Sequence, residues 1–407
     1  MSLATWFHEG SKRAGFGVVA VVFTVAIAFS TVPTPLYPLY EKRDGFGAFT
    51  VTVVFAVYAV GVAAGLVVAG HLSDRAGRRP VLVAALLSEV AAALLFLAWP
   101  ALPGLLLARF VTGLGVGTAT PTATAYLQDL HTRARPGEGP GRFETVSTAA
   151  NIGGLGVGPL VAGLLAAYAP APVHTPYAVF AVLLAAAAVF VVPLPETVAD
   201  PSRPSPYRVQ RIRVHGGAVR FGRAVACACA GLAVFGLFTS LAPGFVATAL
   251  HQTSPAVAGA IVCGVFAAAV LGEILSAPLR PTAREALGVA AEAVGCGAVA
   301  VGMVRGWPAL FVAGGVIAGL GAGTLFKAAV ALVAQSAPAD VRAEALATFF
   351  LAAYTGLVVT SLGLGVAAQL TSPATATLWF SGYLALLLTA IVLFSRADRA
   401  ARRPRPA

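Results

Sequence analysis

"GHLSDRAGRRP", residues 70–80, gathers Asp74, Arg75, Arg78 and Arg79 on one tight turn between two long apolar runs. Elsewhere the chain avoids charge. Of its 407 residues 58% are hydrophobic and 11% charged, where soluble domains carry about a quarter. With a mean hydropathy of +0.86 the medium is a bilayer, and the stretch is a charged loop between two spans.

Runs of roughly 18 or more residues with few charges occupy 15–39, 49–72, 80–98, 102–127, 143–169 and 175–195. Six more follow at 223–249, 255–279, 286–304, 308–334, 343–370 and 375–395. A β-strand crossing would need about 10 residues of alternating polarity, whereas these runs are apolar on all sides. The expectation is twelve transmembrane helices in two groups of six.

Basic residues collect on cytoplasmic loops. With the N-terminus inside, 22 of the 27 Lys and Arg fall on cytoplasmic segments, and the outer loops hold only Lys42, Arg43 and Arg305. Both termini are therefore expected in the cytoplasm. The net charge of +11 is then explained by loops facing anionic lipid, and no nucleic-acid partner is expected. The first span is too long for a secretory signal and leads into "TPLYPLY" without a small-residue cleavage pattern, so it is expected to stay attached. Cys227, Cys229, Cys263 and Cys296 lie inside apolar spans without CxxC spacing. They are read as small buried hydrophobes, with no disulfide and no metal site.

The halves repeat each other. "TGLGVGT" at 112–118 returns as "AGLGAGT" at 318–324, Ser30 to Pro33 returns as Ser240 to Pro243, and "RFE" at 142–144 returns as "RAE" at 342–344. The order is the same each time. Between the halves, residues 195–217 are Pro-rich, charged and without apolar periodicity. The division expected is a six-helix bundle over 1–197, a cytoplasmic linker over 198–222, and a second bundle with a basic cytoplasmic tail over 223–407. Paired repeats of this kind are the architecture of secondary transporters.

At this point the residues resemble a known family, the major facilitator superfamily, and within it the 12-span drug/proton antiporters. Gly70, Leu72, Asp74, Arg75, Gly77, Arg78 and Arg79 fit that family's GxLxDRxGRR signature between spans 2 and 3. "RFVTGLGVG" from Arg109 fits its RxxxGxxxG pattern in span 4. Gly154, Gly158, Pro159 and Gly163 fit the antiporter pattern GxxxGPxxxG in span 5. The resemblance implies an all-α membrane protein of two pseudo-symmetric bundles, working by alternating access.

Physical chemistry gives each motif a task. Asp74 can face the N-terminus of the following helix, where the dipole favours negative charge, and Gly77 permits the reversal. Asp129 is at the depth to pair with Arg78 or Arg75, forming a cytoplasmic latch. Arg109 lies roughly 9 Å inside the outer surface, so it must face a partner or a watery cavity, or else snorkel outward. Gly154 and Gly158 allow close helix approach, and Pro159 frees a carbonyl.

A proton-coupled exporter needs a buried carboxylate that loads and releases a proton, and the family's usual acid in span 1 is missing: residues 15–39 contain none. The candidates are Glu89, near mid-membrane, and Glu273, in the span that the resemblance puts beside the cavity; Lys327 is either a counter-ion to Glu273 or a side chain that snorkels to the interface. Glu292 is expected to reach interfacial water. By the resemblance the cavity is lined by spans 1, 2, 4, 5, 7, 8, 10 and 11, whose aromatic and polar residues include Phe29, Tyr37, Tyr58, Asn151, Phe238, Phe266, Phe350 and Tyr354. Such a lining suits lipophilic or amphipathic ligands.

The function expected is proton-coupled efflux of drug-like or antibiotic molecules by a monomer in a bacterial inner membrane, the Arg-, Ala- and Gly-rich composition pointing to a GC-rich gene. Its partners are the substrate, protons and membrane lipids, with the proton motive force as energy source and no cofactor. The alternative is an importer or facilitator of a small metabolite. No HExxH, Cys/His cluster or phosphate loop suggests an enzyme.

Overall fold

The computed structural model describes residues 3–69, 72–139, 141–198, 217–338 and 342–401. Among the described residues the secondary structure is helical, with no strand. In chain order the helices are α1 (Leu3–Ser30), α2 (Tyr37–Asp44), α3 (Ala48–Ala69), α4 (Leu72–Ala76), α5 (Arg78–Ala98), α6 (Leu102–Ala134), α7 (Gly141–Tyr168) and α8 (Thr175–Val191). The second half continues with α9 (Ala218–Ser240), α10 (Ala242–Thr248), α11 (Pro255–Leu275), α12 (Pro281–Arg305), α13 (Pro308–Ser336), α14 (Arg342–Leu370) and α15 (Pro373–Ala401).

Eleven helical segments among the described residues are long and apolar enough to cross a membrane. The twelfth, Thr175–Val191, has 17 residues and rises about 25 Å, shorter than the 175–195 read from the sequence. Two expected spans are broken rather than continuous. The first is interrupted between Ser30 and a 3-10 turn at Thr34–Leu36, and the seventh between α9 and α10. The repeated Ser-x-x-Pro explains both, because Pro33 and Pro243 cannot continue the amide ladder. The serine hydroxyls then cap carbonyls of the last turn, Ser30 donating to Ile27 O at 2.7 Å and Ser240 to Gly236 O at 2.6 Å.

Pro in the first turn, where no amide is needed, opens α6, α8, α11, α12 and α13. The left-handed Gly306, at φ 65°, closes α12, as helix ends prefer.

The chain divides into two compact units, Met1–Leu36 with Val57–Val209, and Tyr37–Ala56 with Gln210–Ala407. Each has its own aromatic core. In the first, Phe29 lies between Phe96 and Phe180, and Phe96 stacks on Tyr177 at 4.4 Å. In the second, Phe238 packs on Phe311, and Phe235 on Phe266 at 4.7 Å. Large apolar side chains such as Phe190, Trp379 and Leu386 remain exposed, a liability in water but the proper face toward lipid. The second unit includes α2 and the start of α3 because they pack there: Thr52 lies against Gly365, and Glu41 beside Gly244.

Candidate functional site

The signature turn is built entirely within the first unit. α4 carries Asp74, Gly77 makes the reversal at φ 98°, and α5 begins at Arg78. Arg78 is the hub: its guanidinium reaches Asp74 at 2.5 Å, Ser73 Oγ at 2.7 Å and Asp129 on α6 at 3.4 Å. Thr197 Oγ1 donates to the same Asp129 oxygen at 2.8 Å. Of the two arginines expected as partners of Asp129, Arg78 makes this ion pair; Arg75 is half-buried on α4. Gly70 lies outside the described residues.

The carboxylate at the N-terminus of α5 is Glu196 and not Asp74. Its oxygens accept from the backbone amides of Arg78 at 2.9 Å and Arg79 at 3.1 Å, and from those of Thr197 and Val198. These are the orphan amides of a helix start, where negative charge is favoured. A side chain at Gly77 would sit 2.5 Å from Glu196 Oε2, so the glycine is needed for space as well as for its dihedral. The segment carrying Glu196 is tied down further: Arg79 donates to the carbonyls of Val192 and Leu194, Tyr126 to Pro195 O at 2.6 Å, and Arg133 to Thr197 O. Sequence reasoning missed Glu196 because 118 residues separate it from Arg78. The only local signal was its place in "PET", just after the sixth span.

Arg109 is 2% exposed and does not snorkel. Its Nη1 donates to Ser30 O at 2.6 Å, the end of broken α1, and its guanidinium carbon lies 4.3 Å from the Tyr58 ring centroid. A helix C-terminus offers unfilled carbonyls and partial negative charge, and the ring adds a cation–π contact. The Nε proton has no partner among the described residues.

The span 5 motif packs on the same break. A side chain at Gly158 would collide with Ala28 O, and one at Gly154 would lie 2.9 Å from Ile27 Cβ. Pro159, inside α7, leaves the Leu155 carbonyl without its helical amide, and Thr31 Oγ1 donates to that carbonyl at 3.0 Å. Gly163 is buried one turn on.

The remaining candidates divide by burial. Phe29, Phe238 and Phe266 are enclosed in the aromatic cores of their own units, and Tyr37 and Tyr58 are buried. Asn151, Phe350 and Tyr354 are half-buried, Phe350 beside Phe349 and Phe326. Among the acids, Glu89 is fully enclosed at 0% exposure and neither oxygen has a hydrogen-bond partner among the described residues. Glu273 is half-buried two residues before the end of α11, and Lys327 is half-buried on α13. The expectation that Glu292 meets interfacial water is corrected: it too is 0% exposed with both oxygens unpartnered, because it faces α13 rather than lipid.

The second unit holds a charge cluster that no motif announced. Arg223 on α9 bridges Glu285 on α12 at 2.6 Å and Asp398 on α15 at 3.3 Å, while Arg220 reaches Asp398 at 3.0 Å and Ser395 bonds to Glu285.

A family model described as Major Facilitator Superfamily matches residues 18–282. The chain is 36% identical over 77 residues to the Multidrug resistance protein MdtL of Klebsiella pneumoniae (strain 342), covering 19% of this chain and 20% of that protein. It is 28% identical over 160 residues to the Bacillibactin exporter of Bacillus subtilis (strain 168), covering 35% and 39%. The matched stretches thus span well under two thirds of these curated relatives. Similar solved structures include the nucleoside transporter NupG, with a TM-score of 0.75 at 12% identity over 93% of this chain and 99% of that one. Another is the human organic anion transporter MFSD10, with a TM-score of 0.64 at 16% identity over 93% and 99%. With eleven membrane-length helices and one shorter apolar helix among the described residues, halves that repeat in sequence, and the family model matching more than half its length, this chain belongs to the major facilitator superfamily of membrane transporters.

Proposed function

We propose that the chain exports lipophilic or amphipathic small molecules, antibiotics among them, from the bacterial cytoplasm in exchange for protons. Glu89 carries this reading. An ionised carboxylate without a partner in an apolar interior costs several kcal/mol, so a group placed like Glu89 keeps its proton while enclosed and yields it when water enters. Glu273 is the second candidate, at the cytoplasmic end of α11 where water is nearer. The export direction is supported by the span 5 motif and by relatives named as a multidrug resistance protein and an exporter.

In this reading Arg78, Asp74 and Asp129 act as a latch at the cytoplasmic ends of the first unit, held by Glu196. In the first unit Arg109, with its open Nε donor beside Tyr58, and Asn151 are the candidates for substrate contact; in the second the candidates are Phe350 and Tyr354. The protein works as a monomer in the inner membrane with both termini cytoplasmic, powered by the proton motive force without a cofactor.

A susceptibility panel on a pump-deficient bacterial strain tests this. Expression should raise the tolerated concentration of several lipophilic antibiotics, and Asp74→Asn should remove the protection while leaving membrane insertion intact. Sensitisation to the same compounds would instead indicate uptake.

A further inference from the structure

Glu89 has a counterpart. It is the twelfth residue of α5, and Glu292 is the twelfth residue of α12, the third membrane helix of each half. Glu89 packs over Gly115, where an added Cβ would lie 2.6 Å from Glu89 Cγ. Glu292 packs over Gly321, where an added Cβ would lie 2.5 Å from its amide nitrogen and 2.9 Å from its Cα. Gly115 and Gly321 are the same position of the repeated "TGLGVGT" and "AGLGAGT". Each half therefore sets one glutamate against one glycine of its fourth membrane helix, Glu89 by its side chain and Glu292 by its backbone and Cβ, about 17 Å along its own helix. These are the two glutamates with both oxygens buried and unpartnered among the described residues.

The correspondence is selective. The position equivalent to Arg109 is Gly315, and the space there is filled by the Phe238 ring. The intramembrane arginine is thus confined to the first half while the carboxylate appears in both.

We propose that Glu292 is a second carboxylate that binds and gives up a proton in the transport cycle, the equivalent of Glu89 in the C-terminal half. Its place in the cycle rests on the exporter reading above. The titratable groups near Glu292 are thiols, Cys296 on its own helix and Cys227 on α9. The charges on the surrounding helices are Lys327 on α13, Arg284, Glu285 and Arg305 on α12, Arg220 and Arg223 on α9, and Arg396, Asp398 and Arg399 on α15, where Tyr383 bonds to Thr360. Glu285 and Asp398 are taken up by Arg223, and neither Glu292 oxygen accepts a hydrogen bond from any of these groups.

The test uses the full chain in lipid at neutral pH. The infrared band of protonated carboxyl groups should lose one component in Glu89→Gln and a different one in Glu292→Gln. In proteoliposomes with an imposed pH difference and the membrane potential clamped, ethidium accumulation should depend on that difference with a slope lower by about one proton in Glu292→Gln. An unchanged band, or a lost band with an unchanged slope, overturns the proposal. So does failure of Glu292→Gln to insert, since the neutral isostere must fit where a protonated acid sits. If the unmodified chain accumulates no ethidium, the exporter reading falls, and the band alone decides whether Glu292 holds a proton.

Discussion

Gly77 sits at φ 98° and ψ 151°, a region essentially reserved for glycine. Gly77→Ala should therefore cost ~1–3 kcal/mol of stability, seen as a lower unfolding temperature in detergent, with added loss from displacing Glu196. A stability equal to the unmodified chain would contradict this geometry. Arg109 gives a second prediction at this scale. Tyr58→Leu removes the ring under the guanidinium and should weaken substrate binding or stability by ~0.5–2 kcal/mol, while Tyr58→Phe should stay near the unmodified chain; thermal unfolding of both, with and without substrate, checks it. Asp74, Arg78 and Asp129 were legible because a local motif and helix depth place them. Glu196 and the Ser30 carbonyl were not, because both contacts join distant segments through backbone groups that leave no side-chain pattern.

At the scale of helices, the breaks in the first and seventh spans could be read from Ser-x-x-Pro, yet the runs stay apolar across them and hydropathy alone joined each pair. The partner of the α1 break was hidden for another reason: Gly158 and Pro159 specify close approach but do not name the helix approached. Because Thr31 and the helical amide compete for one carbonyl, Pro159→Ala restores that amide. A double-mutant cycle of Pro159→Ala with Thr31→Val should then show coupling of roughly 0.5–3 kcal/mol, and additive unfolding energies would argue against the shared carbonyl. The Arg223 cluster joins three helices by single charges at helix ends, a pattern invisible in one sequence. Both of its ion pairs are largely buried, so Asp398→Ala should destabilise the chain by up to about 3 kcal/mol, measured by thermal unfolding, whereas an exposed pair would cost under about 1 kcal/mol.

For the whole molecule, composition and charge-poor runs were enough to read twelve spans in two halves, since a bilayer forces every backbone polar group to be satisfied within a helix. The internal repeat was equally legible, but the enclosure of Glu292 was not, because hydropathy gives depth along a helix and not the direction in which a side chain points. The central claim is that export runs on a proton carried by Glu89. Its direct measurement is uptake of ethidium into inside-acid, inside-out vesicles bearing the unmodified chain or Glu89→Gln. Uphill uptake that collapses with a protonophore, and falls in Glu89→Gln while downhill exchange survives, is the result expected. Uphill uptake undiminished in Glu89→Gln, or entry into whole cells that grows with the proton motive force, would contradict it.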